Sequence, residues 1–242
     1  LPNKILLKGQ KGIGKSTLAY HLINFVLSKN EDFPYDIDHF KIDEKNRSFR
    51  LINNGSSPNF FLIDIQADKK NINIDQIRNI IQDLNKSSLN NKPKFVLIDN
   101  SEYLNKNSIN VLLKEIEEPN DNIYFILIQN QKTLLSTLTS RFIKFNINLT
   151  NKESNLVINK LINEDIHNLV NSDFINYYFS PGNVYRMIKF CDENNIDLKN
   201  IELREFIDIL IKNNYLKKQK DLRYVFYEAI ECFLKKKSIL FN

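Results

Sequence analysis

Eight consecutive residues constrain this chain more than any other feature. Gly9 to Ser16 read G-Q-K-G-I-G-K-S, the complete phosphate-loop pattern G-x-x-x-x-G-K-[ST]. The apolar run Lys4-Ile5-Leu6-Leu7-Lys8 stands before it, and Thr17-Leu18-Ala19-Tyr20-His21-Leu22-Ile23 follows with helical spacing. The loop therefore joins a strand to a helix, the context the motif needs. Gly9, Gly12 and Gly14 let the backbone turn its N–H groups inward around a phosphate. The helix N-terminus adds partial positive charge. Lys15 is placed to reach the β- and γ-phosphates and Ser16 to put its hydroxyl on Mg²⁺, with Thr17 beside them in the same candidate site. The competing reading is a glycine-rich turn with a chance Lys-Ser. The strand and helix on either side count against it.

Strands and helices alternate from this loop to about residue 148. Lys4–Lys8, Phe60–Ile65, Lys94–Asp99, Asn122–Gln129 and Ile143–Ile147 read as strands. Lys15–Ser28, Ile74–Lys86, Asn107–Glu118 (stopped by Pro119) and Leu134–Ser140 read as helices. The stretch Phe33–Pro58 reads as polar and irregular, with Pro34, Gly55 and Pro58 as breakers. This alternation predicts a parallel sheet covered on both faces. After Leu149 only helical segments are expected, near 152–163, 166–171, 183–194, 201–216 and 221–236, with Pro181-Gly182 breaking the middle of the region. The expected organisation is an α/β nucleotide domain over 1–149, a small all-helical lid over 150–198, and a helical region over 199–242 that starts a further unit.

Composition narrows the function classes. An apolar content of 42% and a charged content of 26% are ordinary for a globular protein. No apolar run approaches the roughly 20 residues of a membrane span, so no membrane partner is expected. Leu1-Pro2-Asn3 leads straight into the first strand without a signal peptide, which gives a cytoplasmic expectation. The start without Met reads as a piece whose natural beginning is missing. Cys191 and Cys232 are too few for a zinc cluster and read as buried thiols. The net charge of +5 is compatible with a nucleic-acid partner. The basic clusters Lys217, Lys218, Lys220, Arg223 and Lys235-Lys236-Lys237 are candidates for DNA contact by charge alone, and a solvated helix face is the favoured reading of each.

A second element sharpens the phosphate loop. Phe95-Val96-Leu97-Ile98-Asp99 is four apolar residues followed by an acid, the Walker B pattern. An Asp at the carboxyl end of a strand near the loop can hold Mg²⁺ together with Ser16, usually through water. The alternative for Asp99 is a cap on the following helix.

Residues 107–141 are more specific still. They include N-S-I-N-V-L-L-K-E-I-E-E-P and, further on, N-I-Y-F-I-L-I-Q-N-Q-K-T-L-L-S-T-L-T-S-R. This resembles the clamp-loader branch of the AAA+ ATPases, in which a helix ending L-L-K-x-L-E-E-P is followed by a strand and then T-I-x-S-R-C. The matching residues are Leu112, Leu113, Lys114, Glu117, Glu118 and Pro119, then Thr137, Ser140 and Arg141, with Phe142 where the family has Cys. Ile74-Asp75-Gln76-Ile77-Arg78, Leu1-Pro2-Asn3-Lys4 and Ser180-Pro181-Gly182 resemble other stretches of the same proteins. The resemblance covers about residues 1–190. It implies an AAA+ P-loop domain with a five-stranded parallel sheet, then a helical lid and the start of a collar domain. It also implies ATP and Mg²⁺ as cofactors. The implied work is loading a sliding clamp onto primed DNA in a DNA polymerase III assembly, with gamma/tau and delta subunits as partners. Arg141 would then act in trans, as an arginine finger toward the γ-phosphate held by a neighbour.

Three departures bear on activity. The residue after Asp99 is Asn100, where active AAA+ enzymes carry a water-orienting Glu, and an amide cannot act as a general base. Gly182 falls where the lid arginine of motor subunits would stand, with Arg186 one turn away. The four-cysteine zinc module of many bacterial loader subunits has no counterpart in residues 30–60, so no structural zinc is expected. These departures lead to the expectation of a chain that binds nucleotide weakly and hydrolyses it poorly, and the resemblance then implies the role of a stator beside the motor subunits. The alternatives are a gamma-like motor subunit, a P-loop kinase for a small molecule, and a nucleic-acid-binding protein with a vestigial loop. The kinase reading gives the E-E-P helix and the T-L-T-S-R segment no role.

Overall fold

The computed structural model describes residues 1–66, 69–86, 90–117, 122–130, 133–175, 180–215 and 222–240. The chain divides into two units, Leu1–Gln10 with Lys15–Ile147, and Lys11–Gly14 with Asn148–Asn242.

The first unit runs β1 (Lys4–Lys8), α1 (Lys15–Leu27), α2 (Arg47–Asn53), β2 (Phe60–Ile63), α3 (Ile74–Leu84), β3 (Lys94–Ile98), α4 (Lys106–Glu117), β4 (Ile123–Gln129), α5 (Ser136–Thr139) and β5 (Ile143–Asn146). The strands form one sheet in the order β2-β3-β4-β1-β5, and every pairing is parallel. The β1, β3 and β4 sequences are apolar on both faces because both faces are covered. Alternate residues feed opposite cores. Leu6, Val96, Ile98, Phe125 and Leu127 pack with Ile77, Leu84, Ile109, Leu112 and Ile116 of α3 and α4. Ile5, Leu7, Phe95, Leu97, Ile126 and Ile128 pack with Ala19, Ile23 and Leu27 of α1 and Ile52 of α2. Each fully buried aliphatic or aromatic side chain contributes about 1.5–3 kcal/mol, so the central strands dominate this unit's stability. β5 is an edge strand, exposed along its length.

The irregular reading of 33–58 needs correction, because α2 lies inside it. Asn46 caps this helix, its Oδ1 accepting the Phe49 amide at 2.8 Å. Helix α2 has seven residues, too few to show periodicity. A polar staple holds its start to the sheet unit. The Glu31 carboxylate accepts from the Ser48 amide at 2.9 Å, the Ser48 hydroxyl at 2.8 Å and the Lys92 ammonium. Other boundaries shift by one or two residues. The expected helix stop at Glu118 and Pro119 lies outside the described residues.

The second unit contains α6 (Asn151–Ile162), α7 (Ile166–Leu169), α8 (Ser172–Ile175), α9 (Pro181–Glu193), α10 (Leu203–Lys212) and α11 (Leu222–Leu240). Its apolar core is continuous, from Ile158 through Phe174, Met187 and Phe206 to Val225 and Cys232. Thr150 and Glu153 form a capping box at the start of α6. Pro181-Gly182 stands at a helix start, so the expected break is a boundary between helices. Pro181 opens α9, where a missing N–H and a preset φ are no handicap. The four-residue α8 was not foreseen. Gly12, counted with this unit, accepts the Gly182 amide at its carbonyl at 2.8 Å. A Cβ on Gly182 would stand 2.8 Å from that oxygen, so the approach requires glycine. Both thiols are buried, and burial, then Asp192, pushes Cys191 up to about 12. Lys217, Lys218 and Lys220 lie outside the described residues, as do the side chains of Lys235 and Lys237. Lys236 pairs with Asp173 at 2.7 Å. No helix among the described residues is long and apolar enough to cross a membrane.

Candidate functional site

The phosphate loop leaves the carboxyl end of β1, where the Gly9 amide donates to the Gln129 carbonyl at 3.3 Å. Gly12 and Gly14 have φ of +88° and +94°, conformations open to glycine and strained for other residues. Lys15, the first residue of α1, is only 3% exposed. Its ammonium donates to the Gly9 carbonyl at 2.9 Å and to that of Gln10. These carbonyl dipoles satisfy a buried charge that would otherwise be costly. A phosphate oxygen is a stronger acceptor for the same ammonium. The Ser16 hydroxyl donates to Asp99 Oδ2 at 2.6 Å. Two predicted site residues separated by most of the domain therefore meet at the carboxyl ends of the strands. Thr17 is exposed on the same helical turn.

The Ser16 hydroxyl and the Asp99 carboxylate are hard oxygen donors, which fit Mg²⁺. Bound there, the ion would neutralise phosphate charge. Among the described residues no group of three or more His, Cys, Asp or Glu is gathered to hold a metal by protein ligands alone. A cation at this place would thus take further ligands from water or phosphate.

Asn100 continues the site laterally. Its backbone is left-handed, with φ 52° and ψ 41°, and opens a 3₁₀ turn over Ser101–Tyr103. Its amide N–H donates to Asp99 Oδ1 at 2.7 Å, and its Nδ2 donates to Asp64 Oδ1 at 2.8 Å. Its Oδ1 accepts from Asn130 Nδ2 at 3.0 Å. The Asn130 amide donates to both Glu102 carboxylate oxygens at 3.2 Å. A polar row thus crosses the carboxyl ends of β2, β3 and β4, with the Asn100 side-chain amide at its centre. Tyr20 of α1 faces the same row. Burial raises its phenol above the usual value, and the charges of Asp99 and Asp64 add to that. The phenol stays protonated at neutral pH and remains a hydrogen-bond donor.

Asp64, Asn130 and Tyr20 were missed from sequence. A signal for Asp64 existed. Phe60-Phe61-Leu62-Ile63-Asp64 repeats the four-apolar-plus-Asp pattern of the third strand, and Ile63 pairs with Ile98 in register. Nothing local marked Asn130 or Tyr20.

Arg141 lies elsewhere on the sheet. β5 is parallel to β1 with Ile143 beside Ile5, so Arg141 sits before the amino end of its strand. The phosphate loop follows the carboxyl end of β1. The length of strand between them is roughly 15–20 Å at ~3.3 Å per residue. The Arg141 side chain is 35% exposed and is not unattached. Its Nη1 donates to the Thr137 carbonyl and its Nη2 to Glu117 Oε1. Phe142 is buried in the core beneath α3 and α4. In the second unit, Arg186 bonds Asn183 of its own helix at 3.4 Å, and the Gly182 amide is used by Gly12.

A parallel five-stranded sheet in the order β2-β3-β4-β1-β5, with a phosphate loop after β1 and an acid after β3, defines a P-loop domain of the AAA+ class. A family model described as DNA polymerase III, delta subunit, matches residues 1–151. The chain belongs to this DNA polymerase III family, and several of its curated relatives are named subunit delta'. It is 30% identical over 140 residues to DNA polymerase III subunit delta' of Pseudomonas aeruginosa, covering 57% of this chain and 41% of that protein. It is 28% identical over 205 residues to DNA polymerase III subunit gamma of Buchnera aphidicola (subsp. Schizaphis graminum), covering 81% of this chain and 54% of that protein. The chain thus spans about half or less of the length of these curated relatives. Among solved structures, the RuvB Holliday junction branch migration motor of Thermotoga maritima matches 97% of this chain and 80% of its own at 18% identity, with a TM-score of 0.44.

Proposed function

We propose that this chain is the stator of a replicative clamp loader. It binds ATP–Mg²⁺ weakly through Gly9, Gly12, Gly14, Lys15, Ser16, Thr17 and Asp99. It turns nucleotide over poorly, because Asn100 occupies the water-orienting position and Gly182 that of the lid arginine. It donates Arg141 to the γ-phosphate of a neighbouring motor subunit. Its partners are the gamma/tau and delta subunits and, through the assembly, the sliding clamp and primed DNA. The setting is the cytoplasm.

The observation that carries this reading is the place of Arg141. It lies at the end of the sheet opposite the chain's own phosphate loop, so its natural target is nucleotide on another subunit. A guanidinium there stabilises the charge of the transferring phosphoryl group, an effect worth ~10³–10⁵ in rate where such fingers have been removed. The test is a loader reconstituted with Arg141→Ala. The variant is expected to fold and assemble and to lower ATP hydrolysis by the motor subunits. Unchanged hydrolysis and clamp loading would rule the role out.

A further inference from the structure

We infer that Glu117 is the positioning residue for Arg141, holding its guanidinium ready for a neighbour's phosphate. This rests on the arginine-finger reading above and adds a residue to it. Glu117 is the last residue of α4, and Arg141 follows α5, so the two meet across separate elements. One outer nitrogen of the guanidinium is held by Glu117 and the other by the Thr137 carbonyl, one helical turn back. A guanidinium carries five N–H donors. Among the described residues these contacts use two, which leaves three for an oxyanion. The Arg141 and Glu117 side chains are 35% and 50% exposed, so the group is open to an approaching subunit.

The exposure also limits what the pair can do for stability. Solvent-screened pairs of this kind add little to folding. Their effect on a long side chain is to select one orientation of many. An arginine that already points in one direction loses less freedom when it engages a transition state. A carboxylate partner does this without burying the charge, and the Thr137 carbonyl takes the other outer nitrogen. The carboxylate aligns the catalytic group and does not itself touch the phosphate.

The experiment is ATP hydrolysis by the motor subunits of a reconstituted loader carrying wild-type chain, R141A, E117A, E117D, E117Q or E117A/R141A, with kcat and KM read separately. E117A is expected to lower kcat roughly threefold to tenfold, the scale of a lost orientation, with KM unchanged. E117Q keeps the acceptor oxygen at the same reach and is expected near wild type. E117D withdraws that oxygen by one methylene and is expected between the two. The double variant is expected to be no slower than R141A, since the two residues act as one. A slow R141A with wild-type or faster E117A overturns the role of Glu117 and leaves the finger reading standing. A wild-type rate for R141A removes the finger reading itself. If E117A does not fold, E117D against E117Q decides, and equal rates for those two overturn the proposal.

Discussion

Asn100 has the most to explain for a single side chain. Its left-handed backbone is tolerated by Asn and Gly and disfavoured for β-carbon residues without a local hydrogen bond. Its amide group also joins Asp64 to Asn130. Asn100→Ala is expected to cost about 2–4 kcal/mol, combining left-handed strain with partners left unsatisfied. Asn100→Gly is expected to cost less, because it removes the bonds but relieves the strain. Urea unfolding of the two variants measures the difference, and an alanine variant as stable as the glycine one would contradict the account. The same residue separates what the sequence carries from what it does not. An amide in place of Glu after Asp99 is visible in the chain itself. Its hydrogen-bond partners come from two other strands.

Among the elements, α2 depends on the Glu31 staple. Burial alone would raise the Glu31 carboxyl, but hydrogen bonds from Lys92 and Ser48 outweigh it and hold the group below its ordinary value. Glu31 is therefore a group whose folded pKa is depressed. Its stabilising contribution is complete above the unfolded value, about 4.3 for Glu. It is lost as the pH falls below that and through the lower folded value. Glu31→Gln is expected to unfold at lower urea concentration than wild type at pH 7, with the gap closing toward pH 3. A gap that persists undiminished at acid pH would sink this assignment. Helix α2 escaped the sequence reading for a related reason. Its stability comes from this tertiary staple and from Ile52 in the core rather than from a visible repeat.

The whole molecule, on the proposed reading, sets a phosphate cradle beside an amide, Asn100, in the place of a base. Ligand binding to the folded state stabilises by RT ln(1 + [L]/Kd), about 2.7 kcal/mol at a hundredfold excess over Kd. ATP–Mg²⁺ at millimolar concentration is therefore expected to raise the melting temperature of the isolated chain, and Lys15→Ala to abolish the rise. Turnover by the isolated chain is expected to stay well below ~1 s⁻¹, the low end of the ordinary enzyme range. A steady-state rate at or above that value would favour the gamma-like motor. No shift with nucleotide would remove the weak-binding half of the proposal.

Local pattern alone determined the phosphate loop, the five strands, the helical character after Leu149, and the acid at the end of the third strand. Each of these is written in contiguous residues, through glycine placement, apolar runs and helical periodicity. Tertiary structure alone decided which strands are neighbours, and so that Asp64 stands beside Asn100 and that Asn130 completes their row. It also decided that Arg141, in the turn after α5, is held by Glu117 at the end of α4. The reason is physical. Side-by-side pairing of parallel strands is set by how whole faces pack, and an ion pair between distant residues leaves no periodic trace in either segment. The motif residues could be named from the chain, but their working partners belong to the sheet.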